Sequence, residues 1–267
     1  WTRTACSQPV KVWHNVSVIA GSQTNKNRRN PLNSPLIGLL VFVLFRGVLY
    51  VFITPPWQAP DEMLHYSYLA ALYENPGWTQ ARVPALLDIH RYVWDSATVF
   101  RIWDYNNWAI PSEPQELQPG TTYLTRAGGL YYRYLFIFYS VVRTWPLIEQ
   151  LFILRIASAL LLLITIASTY ACARTVCSGD GARDRLISFT AAAFVGLQPM
   201  YGFIGASLND DNLVPPLTTL TLLGVLRGLQ TAATAQRYTG IWWLLAVASS
   251  LGAVLSKRTG FVAVGAI

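Results

Sequence analysis

The chain has 267 residues, of which 53% are hydrophobic and 12% are charged. Soluble domains carry about a quarter charged residues, so this composition argues against a soluble helical core and predicts an all-α, polytopic transmembrane bundle. The net charge of +7 does not indicate a nucleic-acid partner, because much of it lies in loops predicted to face the cytoplasm, where basic residues set membrane orientation.

The N-terminal segment, residues 1–35, is polar and basic, and it is predicted to be a cytoplasmic tail without a cleavable signal peptide. The first predicted span follows at residues 36–53. Its length approaches the ~20 residues that cross a bilayer, but it carries Arg46 in mid-run. A charge at that depth is costly, so we expect Arg46 to pair inside the bundle or to extend towards an interface.

Residues 55–150 form a long polar and aromatic segment, predicted to be an extracytoplasmic loop that contains juxtamembrane helices. It opens with the run PPWQAPDEMLHY, whose prolines end the preceding helix and place Asp61 and Glu62 just past the span. A short amphipathic helix is predicted over residues 63–74. The apolar stretch 130–142 has about 13 residues, too few to span a bilayer comfortably.

Further spans are predicted after this loop, at residues 151–170, 186–205, 213–226 and 241–255. The chain then ends inside an apolar run that begins at Thr259. We therefore expect the protein to be truncated at its C-terminal end, with more spans beyond Ile267.

The course of residues 130–142 decides the topology. If this stretch crosses the membrane, the loop 174–185 faces outward; if it lies on the surface, that loop faces the cytoplasm with Arg174, Arg183 and Arg185. The excess of basic residues in cytoplasmic loops favours the surface position. Three polar clusters then share the extracytoplasmic side, namely Asp61-Glu62, Asn209-Asp210-Asp211 and Lys257-Arg258.

The first cluster is suited to proton transfer. Asp61 and His65 are four residues apart and share one face if a helix begins near Pro60. A carboxylate whose pKa is raised by partial burial can act as a general base. The alternative is that Asp61 and Glu62 only cap a helix N-terminus, where the helix dipole favours acidic side chains.

The other two clusters are suited to bind a substrate. Asn209, Asp210 and Asp211 link two apolar runs by a very short connection; the alternative is a plain turn, which Asn and Asp favour. Lys257 and Arg258 lie at the end of a span and can bind a phosphate. The alternative there is an anchor to lipid phosphates, or a failure of the predicted topology.

These segments, in this order, resemble the polytopic glycosyltransferases of the type C fold. The resemblance is greatest to a poorly characterised prokaryotic branch with the signature P-P-x-x-x-P-D-E-x-x-H after the first span; better-known relatives are the protein O-mannosyltransferases and the lipid A aminoarabinose transferase. It covers residues 36–267 and rests on PPWQAPDEMLHY, Leu130-Tyr131-Tyr132, Leu154-Arg155-Ile156-Ala157-Ser158, Gln198-Pro199-Met200, Ser207-Leu208-Asn209-Asp210-Asp211 and Leu255-Ser256-Lys257. The chain departs from the pattern at Gly128-Gly129, where relatives often have Pro-Pro, and at Arg46.

The resemblance implies an inverting transfer of a sugar from a polyprenyl-phosphate donor to an acceptor glycan, lipid or protein. The site would face outward from the plasma membrane of a prokaryote. The reaction needs a base for the acceptor hydroxyl, with Asp61 the first choice and Glu62 the second. It also needs positive charge at the departing phosphate, for which Lys257, Arg258 and Arg155 are candidates.

The remaining candidates are expected to bind the substrate. Asp210 and Asp211 would orient hydroxyl groups, or would hold Asp61-Glu62 through a bridging cation, and His65 and Asn209 lie beside them in the sequence clusters. The sequence requires no metal, and some relatives use a divalent ion while others do not. The cofactor is therefore left open.

A hypothesis from another class is a transporter or a lipid-binding membrane protein without catalysis. Transporters show internal repeats and helices that are broken near the midplane. No repeat is present in this sequence, and its polar clusters lie at span ends, apart from Arg46. The long loop directly after the first span also favours an enzyme.

Overall fold

A computed structural model of the chain describes residues 33–74, 82–105, 129–177, 181–234 and 238–265. These residues form helices and no strand, which confirms the all-α prediction. They belong to one compact unit, Leu32–Ile267, and most of the predicted tail, residues 1–35, lies outside them. The helices are α1 (Asn33–Ile53), α2 (Glu62–Glu74), α3 (Arg82–Val99), α4 (Ile102–Tyr105), α5 (Leu130–Val142), α6 (Leu147–Cys177), α7 (Ala182–Gly196), α8 (Pro199–Gly205), α9 (Val214–Ala233), α10 (Thr239–Ser256) and α11 (Phe261–Val264).

Three of the described helices are long and apolar enough to cross a membrane: α1 from Pro35, α6 and α10. The pair formed by α7 and α8 passes the same test together, but it is bent by 60°. The predicted span over residues 186–205 is therefore not one continuous helix but a bent pair, either a broken span or a re-entrant loop. Pro199 has no N–H and disfavours helical backbone in the residue before it, so one helix ends at Gly196 and the next begins at Pro199.

Helix α9 confirms a predicted helix but not a predicted apolar span. It has 20 residues, with Pro215 and Pro216 in its first turn as expected. It is not among the described helices that are apolar enough to cross a membrane, because threonines, glycines and Arg227 interrupt its leucines. It packs between α6 and α10. Gly224 lets the backbone of α9 approach that of α10 closely, because a Cβ there would meet backbone atoms of Ala246 and Trp242.

Helices α1, α6 and α7 pack side by side through small and branched residues. Leu39 and Val43 of α1 share a buried cluster with Ile166 of α6 and Ala192 of α7. At the end of α1, the carbonyl of Val51 and that of Thr54, just after the helix, accept hydrogen bonds from Arg155 of α6. Helix α1 therefore runs antiparallel to α6, and the first turns of α6 extend past the end of α1.

Helix α5 packs against these first turns of α6, and its N-terminal end reaches Ala157 and Ser158, beside the last turns of α1. The hydroxyls of Tyr131 and Ser158 lie 2.7 Å apart, and Tyr134 donates to the carbonyl of Ala157 at 2.7 Å. The short connection 143–146 then returns the chain to the start of α6. We call this end of the bundle, where α1 ends and α2 and α5 begin, the site end.

Helix α2 matches the predicted position but not the predicted character. It was expected to be amphipathic, yet Tyr66, Tyr68, Leu69 and Ala70 are buried together. The helix is covered by α3 and α5. Its burial matters because it fixes the position of the residues at its N-terminal end.

Candidate functional site

The chain leaves α1 through a turn that proline imposes. Because Pro55 has no N–H, the carbonyl of Val51 lacks the donor that would continue the helix. The turn contains two residues with left-handed backbone, Trp57 (φ 70°) and Asp61 (φ 56°). Trp57 is buried edge-on against Tyr66, and its indole N–H donates to a serine of α3 at 3.2 Å. The turn is thereby anchored to α2 and α3.

Arg155 of α6 supplies the donors that this turn lacks. Its Nη1 donates to the carbonyls of Val51 (3.0 Å) and Thr54 (2.7 Å), and its Nη2 donates to that of Pro55 (3.0 Å). Its Nε and Nη2 also bind the two carboxylate oxygens of Glu62, at 2.8 and 2.5 Å. All five N–H groups of the guanidinium are therefore in use. The expected role of Arg155 at a substrate phosphate does not fit this geometry.

The carboxylate of Glu62 likewise has a hydrogen-bond donor at each of its acceptor positions. Besides Arg155, its Oε2 accepts from the backbone N–H of Trp57 at 3.1 Å, and its Oε1 accepts from that of Leu208 at 3.3 Å. A carboxylate has about four lone-pair positions, and each of them has a donor here. With 1% of Glu62 exposed, a substrate proton could reach it only by displacing a donor. Glu62 therefore holds the turn after α1 in place, which does not fit its predicted role as the second-choice base, and we call this group of contacts the Glu62–Arg155 clamp.

Asp61 differs from Glu62 in exposure, in backbone conformation and in hydrogen bonding. Its side chain is exposed, and it makes no hydrogen bond to any other residue that the structure describes, including the backbone of α2. A left-handed backbone is uncommon outside glycine, although Asp tolerates it better than most residues. Such conformations concentrate at functional sites. Of the two adjacent acids, Asp61 has the carboxylate that is free to react.

His65 lies one turn after Asp61, as predicted, and is buried. Its Nδ1 is 2.6 Å from the hydroxyl of Tyr132 on α5. Burial lowers the pKa of His65 below its usual value, and the nearby charges of Asp210 and Asp61 oppose this shift only in part. His65 is therefore neutral at neutral pH.

The second predicted cluster forms the connection from α8 to a 3₁₀ helix, Asp210–Leu213. The side chain of Asn209 accepts from the backbone N–H of Asp211 at 2.9 Å, and its own backbone N–H donates to Tyr131 at 3.2 Å. Asn209 is therefore used to build the turn, as in the plain-turn alternative. The two aspartates that follow it are not used in this way.

Lys257 joins the third cluster to the second. Its Nζ lies 3.0 Å from Asp210 and 2.9 Å from Asp211. Burial acts to lower the pKa of Lys257, but hydrogen bonds and charge from Asp211 and Asp210 outweigh it, so the pKa is raised and the group stays an ammonium. This ammonium bridges Asp210 and Asp211 to each other, whereas the cation considered above would link them to Asp61-Glu62. The side chain of Arg258 lies outside the described residues.

The site end thus brings together most of the predicted residues. The charges of Asp61, Asp210, Asp211 and Lys257 all act on the pKa of His65, so these four groups lie in its neighbourhood. Three carboxylates against one ammonium leave the group acidic, which suits hydroxyl donors as ligands. The described residues contain no group of three His, Cys, Asp or Glu side chains suited to a metal ion.

Three residues that build this site were not among the predicted site residues, although Asn212 belongs to the second polar run. Tyr131 and Tyr132 were quoted only for a resemblance, yet each contacts one of the predicted clusters. Asn212 donates to two carbonyls of the chain before the 3₁₀ helix, at 3.0 and 2.8 Å. The available signals were a tyrosine pair at the start of an apolar stretch and a fourth polar residue in the run Asn-Asp-Asp-Asn.

Comparisons of the chain with protein-family models, with curated proteins and with solved structures find no match.

Proposed function

We propose that the chain transfers a sugar from a polyprenyl-phosphate donor to an acceptor on the extracytoplasmic side of a prokaryotic plasma membrane. Asp61 is the general base. Its carboxylate takes the proton of the acceptor hydroxyl while that oxygen bonds to C1 of the sugar. The bond from C1 to the phosphate oxygen breaks with inversion, and the phosphate leaves with the electron pair.

The observation that carries this proposal is the contrast between the two acids. The Glu62–Arg155 clamp consumes one carboxylate to fix the turn after α1, and this turn leaves the neighbouring carboxylate exposed and unpaired. Asp210 and Asp211 are then available to orient sugar or acceptor hydroxyls. Lys257, with Arg258 beside it in the chain, is available to the departing phosphate once it exchanges its aspartate partners.

The distribution of charge supports the proposed orientation. Arg174 lies in the last turn of α6, 16 residues after Ser158, or about 24 Å along the helix. Arg183 and Arg185 begin α7 at that same end. Basic residues favour the cytoplasmic side, so the site end would face outward.

The membrane assignment rests on the apolar helices α1, α6 and α10. Helix α5 is about 20 Å long against a hydrocarbon thickness of about 30 Å. Its N-terminal end reaches Ala157 and Ser158 of α6, beside the last turns of α1, and the rest of α5 packs with the first turns of α6. The short length of α5 supports a course that does not cross the membrane, which is the topology that places the three polar clusters on one side.

The proposal is tested with the full-length protein in liposomes that contain a polyprenyl-phosphate sugar. Labelled sugar should appear on an acceptor supplied from outside, with inverted configuration at C1. Absence of transfer with a panel of polyprenyl-phosphate sugars and glycan, lipid and protein acceptors would refute the proposal.

A second candidate function is transport. One observation favours it: the bent pair of α7 and α8, with Arg46 against the break, resembles the interrupted helices of secondary transporters. Uptake of a charged solute into the same liposomes, without sugar transfer, would support transport over catalysis.

A further inference from the structure

Arg46 and Arg155 lie in the interior of the apolar helices α1 and α6, and their surroundings differ. Arg155 gives all five of its N–H groups to Glu62 and three carbonyls. Arg46 of α1 makes one hydrogen bond to a described residue, from Nη2 to the carbonyl of Gln198 at 3.3 Å. Its Nε is buried and has no partner among the described residues. The N–H groups of Arg155 therefore all have acceptors, whereas most of those of Arg46 have none among the described residues.

Arg46 is not needed as a cap for α8, although its one hydrogen bond is to a carbonyl at the start of that helix. The carbonyl of Gln198 already accepts from the backbone N–H of Gly202 at 3.1 Å, which is the first helical bond of α8. The break between α7 and α8 therefore does not need this guanidinium in order to satisfy that carbonyl.

The backbone of α8 is shaped to admit the guanidinium. A Cβ at Gly202 would lie 2.6 Å from Nη2 of Arg46 and 3.0 Å from its Cζ and Nε. Any side chain at this position would displace the group. The glycine thus leaves space for a planar cation directly against the helix.

A cation in this setting requires a counter-ion. No described carboxylate lies within ion-pair distance of Arg46, whereas Arg155 has one such carboxylate and Lys257 has two. A charge within a membrane span is costly unless it is paired. The planar fork of arginine binds carboxylate and phosphate oxyanions preferentially, so an oxyanion is the partner that fits.

The neighbourhood of Arg46 is apolar on its outer surface. Phe42, Phe45, Leu49 and Met200 are all largely exposed on α1 and α8. In a membrane span, such side chains face lipid. An oxyanion that reaches Arg46 from this side therefore has to be attached to an apolar chain.

We infer that Arg46, with the cradle at Gly202 and the break between α7 and α8, binds the phosphate group of a membrane lipid. The site is distinct from the one at Asp61, because Arg46 precedes the end of α1 by seven residues, or about 10 Å along the helix. It does not depend on the proposed transferase activity. The phosphate can come from an anionic phospholipid or from a polyprenyl phosphate.

The test uses the full chain, purified in an uncharged detergent and titrated with three probes: phosphatidylglycerol, polyprenyl phosphate and inorganic phosphate. Native mass spectrometry counts the bound lipids. We expect one lipid site whose affinity falls at least tenfold in Arg46→Gln and also in Gly202→Ala, where the new Cβ displaces the guanidinium. Arg133→Gln, which removes an exposed arginine of α5, is the matched control and should bind as the parent does.

The preferred lipid identifies the source of the phosphate. Equal lipid binding by the parent and by both variants would overturn the site, and inorganic phosphate binding as tightly as either lipid would overturn the lipid assignment. If Arg46→Gln fails to fold, Arg46→Lys keeps the charge without the fork and should still bind severalfold more weakly than the parent. Unchanged affinity in Arg46→Lys and Gly202→Ala would also overturn the inference.

Discussion

Glu62→Gln should destabilise the protein far more than Asp61→Asn. Glu62 and Arg155 are both fully buried, with side-chain exposures of 0%. Removal of one partner from such a pair leaves an uncompensated buried charge, which costs about 3–5 kcal/mol. Asp61 is exposed, and Asn tolerates its left-handed backbone equally well, so Asp61→Asn should change the free energy of unfolding by less than about 0.5 kcal/mol.

A variant with both Glu62 and Arg155 replaced shows whether the pair stabilises the protein only as an ion pair or also by satisfying backbone groups. For an isolated buried pair, replacement of both partners by apolar residues is often neutral or stabilising. Here Glu62→Met with Arg155→Met would also strand the carbonyls of Val51 and Thr54 and the N–H groups of Trp57 and Leu208. Each buried group left without a partner costs about 1–3 kcal/mol. The free energy of unfolding of the double variant should therefore be at least about 4 kcal/mol lower than that of the parent.

The assay is reversible unfolding in detergent micelles, followed by tryptophan fluorescence, for the parent, each single variant and the double variant. Near-parental stability of the double variant would refute the backbone part of the clamp. A cost below about 1 kcal/mol for Glu62→Gln, the level of an exposed pair, would refute the clamp as a whole.

Three further predictions follow from the packing and the charges. Gly224→Ala should cost about 1–3 kcal/mol, because its Cβ would lie 2.7 Å from the backbone nitrogen of Ala246, whereas Gly38→Ala meets no atom within 4 Å and serves as the control in thermal unfolding. Asp210→Asn should lower the unfolding temperature more than Asp211→Asn, since their side chains are 3% and 50% exposed around one lysine; equal effects would contradict this account. Because the folded pKa of His65 is lowered, the unfolded state binds its proton first, so stability should be lost as pH falls from about 6.5 through the folded pKa, by up to about 1.4 kcal/mol per unit. His65→Gln should flatten that slope, which unfolding between pH 5 and 8 would measure, and an unchanged slope would show that His65 is not its source.

The sequence carried enough information for the helices and for the gathering of the polar clusters. Apolar runs of bilayer length predicted α1, α6 and α10, and the placement of Asp61, Asp210 and Lys257 at span ends predicted that they would meet. These features depend on the length of the apolar runs and on the polar residues at their ends, which are local properties of a sequence.

The role of each residue within a polar cluster depends on contacts between residues far apart in the chain, and these contacts cannot be predicted from the sequence. Glu62 and Asp61 are adjacent and chemically alike, and only the approach of Arg155, 93 residues away, distinguishes them. Pro55 could have indicated that the carbonyl of Val51 needs a donor, but not which residue would supply it. The bend at Pro199 was readable from the proline itself.

The central claim is that the Glu62–Arg155 clamp presents Asp61 as the reacting base. The most direct measurement compares sugar transfer and unfolding of Asp61→Asn with the parent and with Asp95→Asn, in which an exposed acid of α3 is changed. We predict that Asp61→Asn keeps the parental unfolding temperature while its turnover falls by about 10²–10⁴-fold, and that Asp95→Asn keeps both. Retention of parental turnover by a folded Asp61→Asn would contradict the account.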